Sequence, residues 1–442
     1  MGITTDGAPS LRECEQWVAD NWWSVLLACA ILVPVAMTVF NFFESPFYIH
    51  EDSALFQHGG WYIGQGAALY VDIWDLKPPL IYAVTTVLAF LSFGNMAALH
   101  VLGVTAAVAA VSGGVVCLGL VVHRLTDDGV ASVVAAVSMF GLTSVYAFPY
   151  AGIRPKYFAF LCAAGALLCA VDDRHLASGA AAALSAGFWQ LGGGIAVLVV
   201  AMALQREGLE AAGRTVAGGV AVAAVTVLPF VLTGTGTALF VEAVIAPLYG
   251  VERYTVPGRI LTFVVQLGYG ALLVPLAAYG WWRGASTDLS RYGWVAAGGV
   301  TYLFQIFLEF QGAIEMILVY LFVALGIGVL VAEMPTPSHR VLVAGCVLLF
   351  VVTAPAWHNG TVAPLKEETV DLQNDFDVPD HASIPPDPEG VPSMQTIYWE
   401  KLKPDICHYR LGDKQKYFMA ATNGTLDKAE CGQWPFEETP ST

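Results

Sequence analysis

The sequence predicts an all-α polytopic membrane protein, and three observations carry that reading. Hydrophobic residues make up 56% of the 442-residue chain and charged residues only 13%, with a mean hydropathy of +0.62, a balance foreign to ordinary soluble domains. Apolar stretches of roughly membrane-crossing length recur along most of the chain. Arginines gather in alternate turns between them, as the positive-inside rule expects of cytoplasmic loops. The 36 acidic residues outnumber 20 basic ones, for a net charge of -16, which excludes a basic nucleic-acid-binding face. Acidic surfaces with few lysines suit a protein bathed in high salt and point to a halophilic source.

Residues 1–22 lack the positively charged region and cleavage site of a removable signal peptide and read as a cytoplasmic N-terminus. Membrane spans are predicted at 23–43, 97–122, 130–148, 157–171, 176–188, 192–204, 216–232, 260–281, 292–308, 312–331 and 341–355, about eleven crossings within a bundle over 23–356. The 176–204 region is read as two short helices rather than one long one. The stretch 80–94 is short and follows Pro78-Pro79 directly. Leaving it as a helix in the interface, within an external loop 44–96, puts Arg124, Arg174, Arg206, Arg214, Arg283, Arg291 and Arg340 on the N-terminal side. Lys77, Arg154, Lys156, Arg253 and Arg259 then lie outside, against the rule. Each is explained by snorkelling or by lipid headgroups. As a group facing a carboxylate-rich loop, they read instead as a site for an anionic ligand such as phosphate.

The tail changes composition. Residues 357–392 are acidic and Pro-rich and read as a linker, and 393–442 have enough aromatic and apolar residues for a small external domain. Cys407 and Cys431, the only cysteines of the tail, suit an external disulfide, and Asn359 and Asn423 begin N-glycosylation sequons.

The first external loop, "HEDSALFQHGGWYIGQGAALYVDIWDLKPPLIY", is the long polar interruption of the first third. Glu51 and Asp52 follow directly on the first span. Acids at a helix start are ordinarily a favourable response to the helix dipole. A carboxylate at the lipid–water boundary, partly desolvated, instead has a raised pKa and serves as a general base. The segment 53–64 places Leu55, Phe56, Trp61 and Ile63 among small and polar residues, as an interfacial helix would. Lys77 adds positive charge beside two prolines that fix the backbone. A metal site is not called for: His50, Glu51, Asp52 and His58 could offer ligands to a divalent cation, but at no recognised spacing.

These residues resemble the first external loop of the GT-C glycosyltransferases, in particular the group of dolichyl-phosphate-mannose mannosyltransferases and aminoarabinose lipid A transferases. Asp52 takes the first position of the group's Asp-Glu pair and Ser53 stands where Glu is usual, with Glu51 before it. Tyr70, Asp72, Lys77, Pro78, Pro79 and Leu80 match the Tyr-x-Asp and the closing Lys-Pro-Pro-Leu. Further on, "AGIRPKYF" is similar to an external Arg-Pro turn, with Lys156 in place of the usual acid, and Gln190 falls where the group often has Lys. The resemblance covers the first half well and the second half by topology alone.

The resemblance implies a GT-C-like bundle and inverting transfer of a sugar, most commonly mannose, from a polyprenyl- or dolichyl-phosphate donor. The acceptor would be a glycan, glycolipid or glycoprotein on the external face. Asp52 is then the base with Glu51 in support. Lys77, Arg154, Lys156 and Arg253 would bind the donor phosphate, and Tyr70, Asp72, Asp75 and Glu309 the substrates. No cofactor is required, and lipids and lipid-borne substrates are the partners. The competing reading is a lipid or solute transporter, which would carry charges within its spans and repeated halves; neither is evident. A noncatalytic receptor would need no charged constellation at membrane level.

Overall fold

The structure is a computed structural model that describes residues 11–249, 256–307, 312–334, 337–357 and 392–403. Arg253, Glu309, Asn359, Cys407, Asn423 and Cys431 lie outside the described residues. Among the described residues the fold is a helical bundle without strands, beyond one isolated bridge between Leu69 and Ile73.

In chain order the helices are α1 (Leu11–Asp20), α2 (Trp22–Glu44), α3 (Glu51–Gly64), α4 (Leu80–Leu91), α5 (Met96–Thr126) and α6 (Gly129–Ser138). Then come α7 (Ser144–Ala147), α8 (Pro155–Val171), α9 (His175–Phe188), α10 (Gly193–Glu207), α11 (Leu209–Leu232), α12 (Gly236–Phe240) and α13 (Ala246–Tyr249). The last are α14 (Val256–Leu267), α15 (Leu273–Thr287), α16 (Leu289–Leu303), α17 (Ile317–Ala332), α18 (Pro337–Trp357) and α19 (Met394–Glu400). Among the described residues five stretches are long and apolar enough to cross a membrane: Trp22–Glu44, Met96–Thr126, Leu209–Leu232, Val256–Thr287 and Ala313–Ala332. Among the other predicted spans, 157–171, 176–188 and 192–204 fall on shorter helices and 341–355 on the 21-residue α18. At 12 residues α4 is about 18 Å long, well short of a bilayer core.

The centre is α17, buried from Ile317 to Val331 and apolar all round, as a helix enclosed by others must be. Around it pack α5, α6, α15 and α16, while α8 joins α5 to α9. Small residues permit the closest approaches: a Cβ on Gly179 of α9 would overlap the carbonyl oxygen of Thr215 on α11. The buried residues of α11 are Ala211, Ala212, Thr215 and Gly218, all in its first half. Its second half therefore stands off from the bundle.

Three expectations need correction. The predicted span 130–148 is not one helix: α6 ends in a 3-10 turn at Met139–Gly141 before α7 begins. At that turn the Gly141 carbonyl meets Gly270 so closely that neither helix can run straight past the other. The predicted span 260–281 likewise divides into α14 and α15 around a 3-10 turn, Gly268–Leu272. Finally, α3 is more enclosed than the sequence suggested: Gly59 and Gly60 approach Tyr82 and Thr85 of α4 closely, and Ser53, Gln57 and His58 are buried as well. The 176–204 region does form two helices, separated at Trp189 by extended backbone.

Charges collect at the two ends. At the N-terminal end Arg340 of α18 pairs with Glu15 at 3.3 Å and with Asp128, Arg124 with Asp172 at 3.0 Å, and Arg206 with Asp173 at 3.2 Å. The loop with Asp52 lies at the other end, beyond the 23 residues of α2, a rise of about 35 Å.

Candidate active site

Two chain segments meet at that far end. The first is the start of α3, where His50 adopts extended backbone and its Nδ1 accepts from the Asp52 amide at 3.2 Å. The second is the turn 151–154 before α8, where Gly152 sits at φ +111°, backbone that L side chains rarely adopt. The segments are joined by a bond from the His50 amide to the Ala151 carbonyl at 3.0 Å. A Cβ on Gly152 would come within 2.7 Å of Ser53 Cβ and 2.8 Å of Gln57 Nε2. Glycine is therefore what lets the turn reach α3.

This junction brings Arg154 Nη1 to 3.7 Å from Asp52 Oδ2. The distance is an ion pair without a hydrogen bond, so the guanidinium N–H groups are not used up by Asp52. Asp52 is half-exposed and Arg154 largely enclosed. Desolvation pushes the Asp52 carboxyl up, but Arg154, His50, Lys156 and Lys77 together outweigh it and hold the group below its ordinary value. The raised pKa expected from the sequence is thus reversed, because Arg154 of the turn 151–154, and Lys156 just after it, add positive charge to that of His50 and Lys77 in the loop.

Lys156 is committed elsewhere. Its Nζ donates to Glu315 Oε1 at 2.9 Å, with both residues buried, and lies 5.5 Å from the Trp189 ring. Gln305 Nε2 donates to the Glu315 carbonyl at 2.7 Å, fixing that turn. Lys77 is half-buried and acts electrostatically on both Asp52 and Asp75.

The remaining loop residues form its frame. Asp72 Oδ2 accepts from the Ala68 amide at 2.6 Å, and Tyr70, fully buried at φ +66°, donates its hydroxyl to the Lys77 carbonyl at 2.7 Å. Burial raises the Asp75 carboxyl despite Lys77 and the Tyr82 hydroxyl, which donates to it at 2.8 Å. Gln190, at the position where Lys is common in the group the loop resembles, donates to the Leu76 carbonyl at 2.5 Å and the Ala243 carbonyl at 3.2 Å. It ties the loop to the α9–α10 turn and to a π-helical turn, Val241–Ile245, that the sequence reading missed. Gln57, Tyr82 and Glu315 as a partner for Lys156 were also missed; only the buried Lys156 offered a signal, since it demands a carboxylate. Among the described residues no group of three His, Cys, Asp or Glu side chains is placed to hold a metal ion.

An apolar groove of about 670 Å³ leads up to the loop, lined by α9, α10 and the middle of α11 from Thr215 to Val227. Thr215 lies toward its inner end, and Pro79, two residues from Lys77, and Leu239 belong to its lining beside the loop. Small residues, among them Gly179, Ala183, Gly219 and Ala223, line the groove and leave it open.

Two likenesses to known proteins bear on this arrangement. A family model described as DolP-mannose mannosyltransferase matches residues 66–228, which takes in Tyr70, Lys77, Arg154, Lys156 and Gln190 and begins after Asp52. A dolichol phosphate-mannose mannosyltransferase of Haloferax volcanii is 27% identical over 419 residues, covering 87% of this chain and 90% of the relative. Together with the first-loop motif, both likenesses support a place for this chain in the GT-C mannosyltransferase group.

Proposed function

We propose that the chain transfers a mannosyl residue from a dolichyl-phosphate donor to a hydroxyl of an acceptor glycan or protein, at the outer face of the cell membrane, as a step in protein N-glycosylation. The family likeness supports the donor class. The observation that carries the reaction is the meeting of Asp52 with Arg154 at 3.7 Å, which puts a carboxylate and a guanidinium side by side in the loop region whose Pro79 also lines the groove.

The chemistry follows from that pairing. The acceptor oxygen attacks the anomeric carbon, and its proton passes to Asp52 with Glu51 in support. The bond from the anomeric carbon to the phosphate oxygen breaks, and dolichyl phosphate leaves as an anion with its developing charge met by Arg154 and Lys77. A single displacement of this kind inverts the anomeric centre. The polyprenyl chain lies in the apolar groove, so the donor reaches the site from the bilayer and no nucleotide-binding domain is needed. On this reading the tail, with its sequons at Asn359 and Asn423, stands on the same external side.

The test is mass spectrometry of surface glycoproteins and lipid-linked glycans from cells in which Asp52→Asn is the only form of the protein, with its membrane abundance measured in parallel. Glycans shortened by one hexose at normal abundance are expected. Unchanged glycans remove Asp52 as the base.

A further inference from the structure

The segment after the Pro-rich linker does not stand apart from the bundle. Ser393 caps α19, its Oγ accepting from the Thr396 amide at 3.2 Å, and Met394, Ile397 and Tyr398 are buried against α3 and the start of α5. Three anchors hold it. The Tyr398 hydroxyl lies 2.5 Å from the Met96 carbonyl, which takes its single proton, and 3.3 Å from Gln57 Oε1. Trp399 packs edge-on against Phe47 and His100, with ring centroids 6.3 Å and 6.2 Å away. Past the left-handed cap at Lys401, the Leu402 carbonyl lies 2.7 Å from His58 Nε2. Burial holds His58 down at about 4, against the pull of that bond, so the ring is neutral at ordinary pH and Nε2–H is the donor.

Gln57 and His58, two of the α3 side chains that the segment 393–403 contacts, lie within six residues of Asp52. Gln57 faces two ways: its Oε1 meets Tyr398, while its Nε2 lies against Gly152, in the turn that delivers Arg154. A shift of Gln57 therefore moves α3 and the 151–154 turn relative to each other, and with them the separation of Asp52 from Arg154.

We propose that residues 393–403 are a positioning element for the transfer site, with Tyr398 as its principal positioning residue. The proposal rests on the function stated above for its catalytic consequence, though not for its structural one. Tyr398 touches neither Asp52 nor any place where substrate would sit. It acts through its hydrogen bond to Met96 at the start of α5 and its packing against Gln57 of α3, and misplacement of reacting groups by an ångström or less is costly in rate.

The experiment compares full-length wild type, Tyr398→Phe and Tyr398→Ala in lipid nanodiscs. Dolichyl phosphate mannose is the donor, and lipid-linked glycans extracted from cells lacking the gene are the acceptor. Tyr398→Phe keeps the ring and loses the hydroxyl. It is expected to lower kcat about tenfold while donor KM stays within twofold, and Tyr398→Ala lowers kcat further. Hydrogen exchange read by mass spectrometry should show faster exchange in 51–60 in Tyr398→Phe, with α17 unchanged. Unaltered kcat and unaltered exchange in both variants overturn the proposal. So does faster exchange throughout the bundle with kcat per folded molecule preserved, which is the behaviour of a purely structural residue. If wild type transfers no mannose, the reading of the function fails, and exchange confined to 51–60 still decides whether the segment positions α3.

Discussion

The buried pair Lys156–Glu315 gives a prediction whose size follows from its surroundings. Both side chains are nearly inaccessible, 11% and 6% exposed, and their charged atoms are 2.9 Å apart. Removing one partner leaves the other charge buried and uncompensated, at a cost of about 3–5 kcal/mol. Lys156→Met and Glu315→Leu are each expected to lose that much. The double variant, in which both charges are gone and apolar groups fill the space, should be less destabilised than either single one. The coupling between the two sites should then reach at least about 3 kcal/mol. Thermal unfolding in detergent micelles, followed by tryptophan fluorescence on all four proteins, measures it. The same four proteins separate structure from chemistry. If Lys156 is held by Glu315, the double variant keeps most of its transfer rate per folded molecule. If Lys156 instead meets the donor phosphate in the transition state, the double variant loses about a hundredfold or more. Additive single costs, with no recovery in the double variant, would refute the reasoning.

Two further predictions concern the junction itself. Asp52 is held below the ordinary carboxylate value, so its attraction to Arg154 is complete above that value and is lost only as pH falls through the lowered one; the acid limb of kcat/KM should lie below about pH 4. Arg154→Gln removes the largest of the charges holding Asp52 down and should move that limb to higher pH; a limb that stays in place in the pH–rate profile refutes the coupling. Gly152→Ala forces a left-handed φ of +111° on an L residue and drives its Cβ against Ser53 and Gln57, which should cost about 1–3 kcal/mol in thermal unfolding and reduce transfer more than tenfold. Gly208→Ala, at φ +84° with nothing within 4 Å of its Cβ, serves as the control: it shares the backbone strain and should leave transfer per folded molecule unchanged.

What was legible in the sequence was what is local. The run from Glu51 to Leu80 carries its own design: Asp72 closes a turn on Ala68, Tyr70 reaches Lys77, and Asp75 reaches Tyr82, each within seven residues. Cations on the side where the positive-inside rule forbids them marked Arg154 and Lys156 as residues in need of a partner. Their partners were not legible. Glu315 lies 159 residues from Lys156, and Tyr398 lies 341 residues from Gln57. Nothing in the composition around Glu315 or Tyr398 distinguishes a buried partner from an acid or an aromatic at a helix end. The break in 130–148 was hidden for a related reason, since an apolar run reads the same whether or not a neighbouring turn forces it to bend.

The sequence by itself determined that this is a helical membrane protein with a charged first loop like that of the mannosyltransferases, because hydropathy and short-range hydrogen bonding are properties of consecutive residues. Only the tertiary structure decided that Asp52 is held ionised beside Arg154, that Lys156 belongs to Glu315, and that the C-terminal segment grips the helix carrying Asp52. Those outcomes depend on desolvation and on distances between charges, which no stretch of sequence contains until the helices have packed.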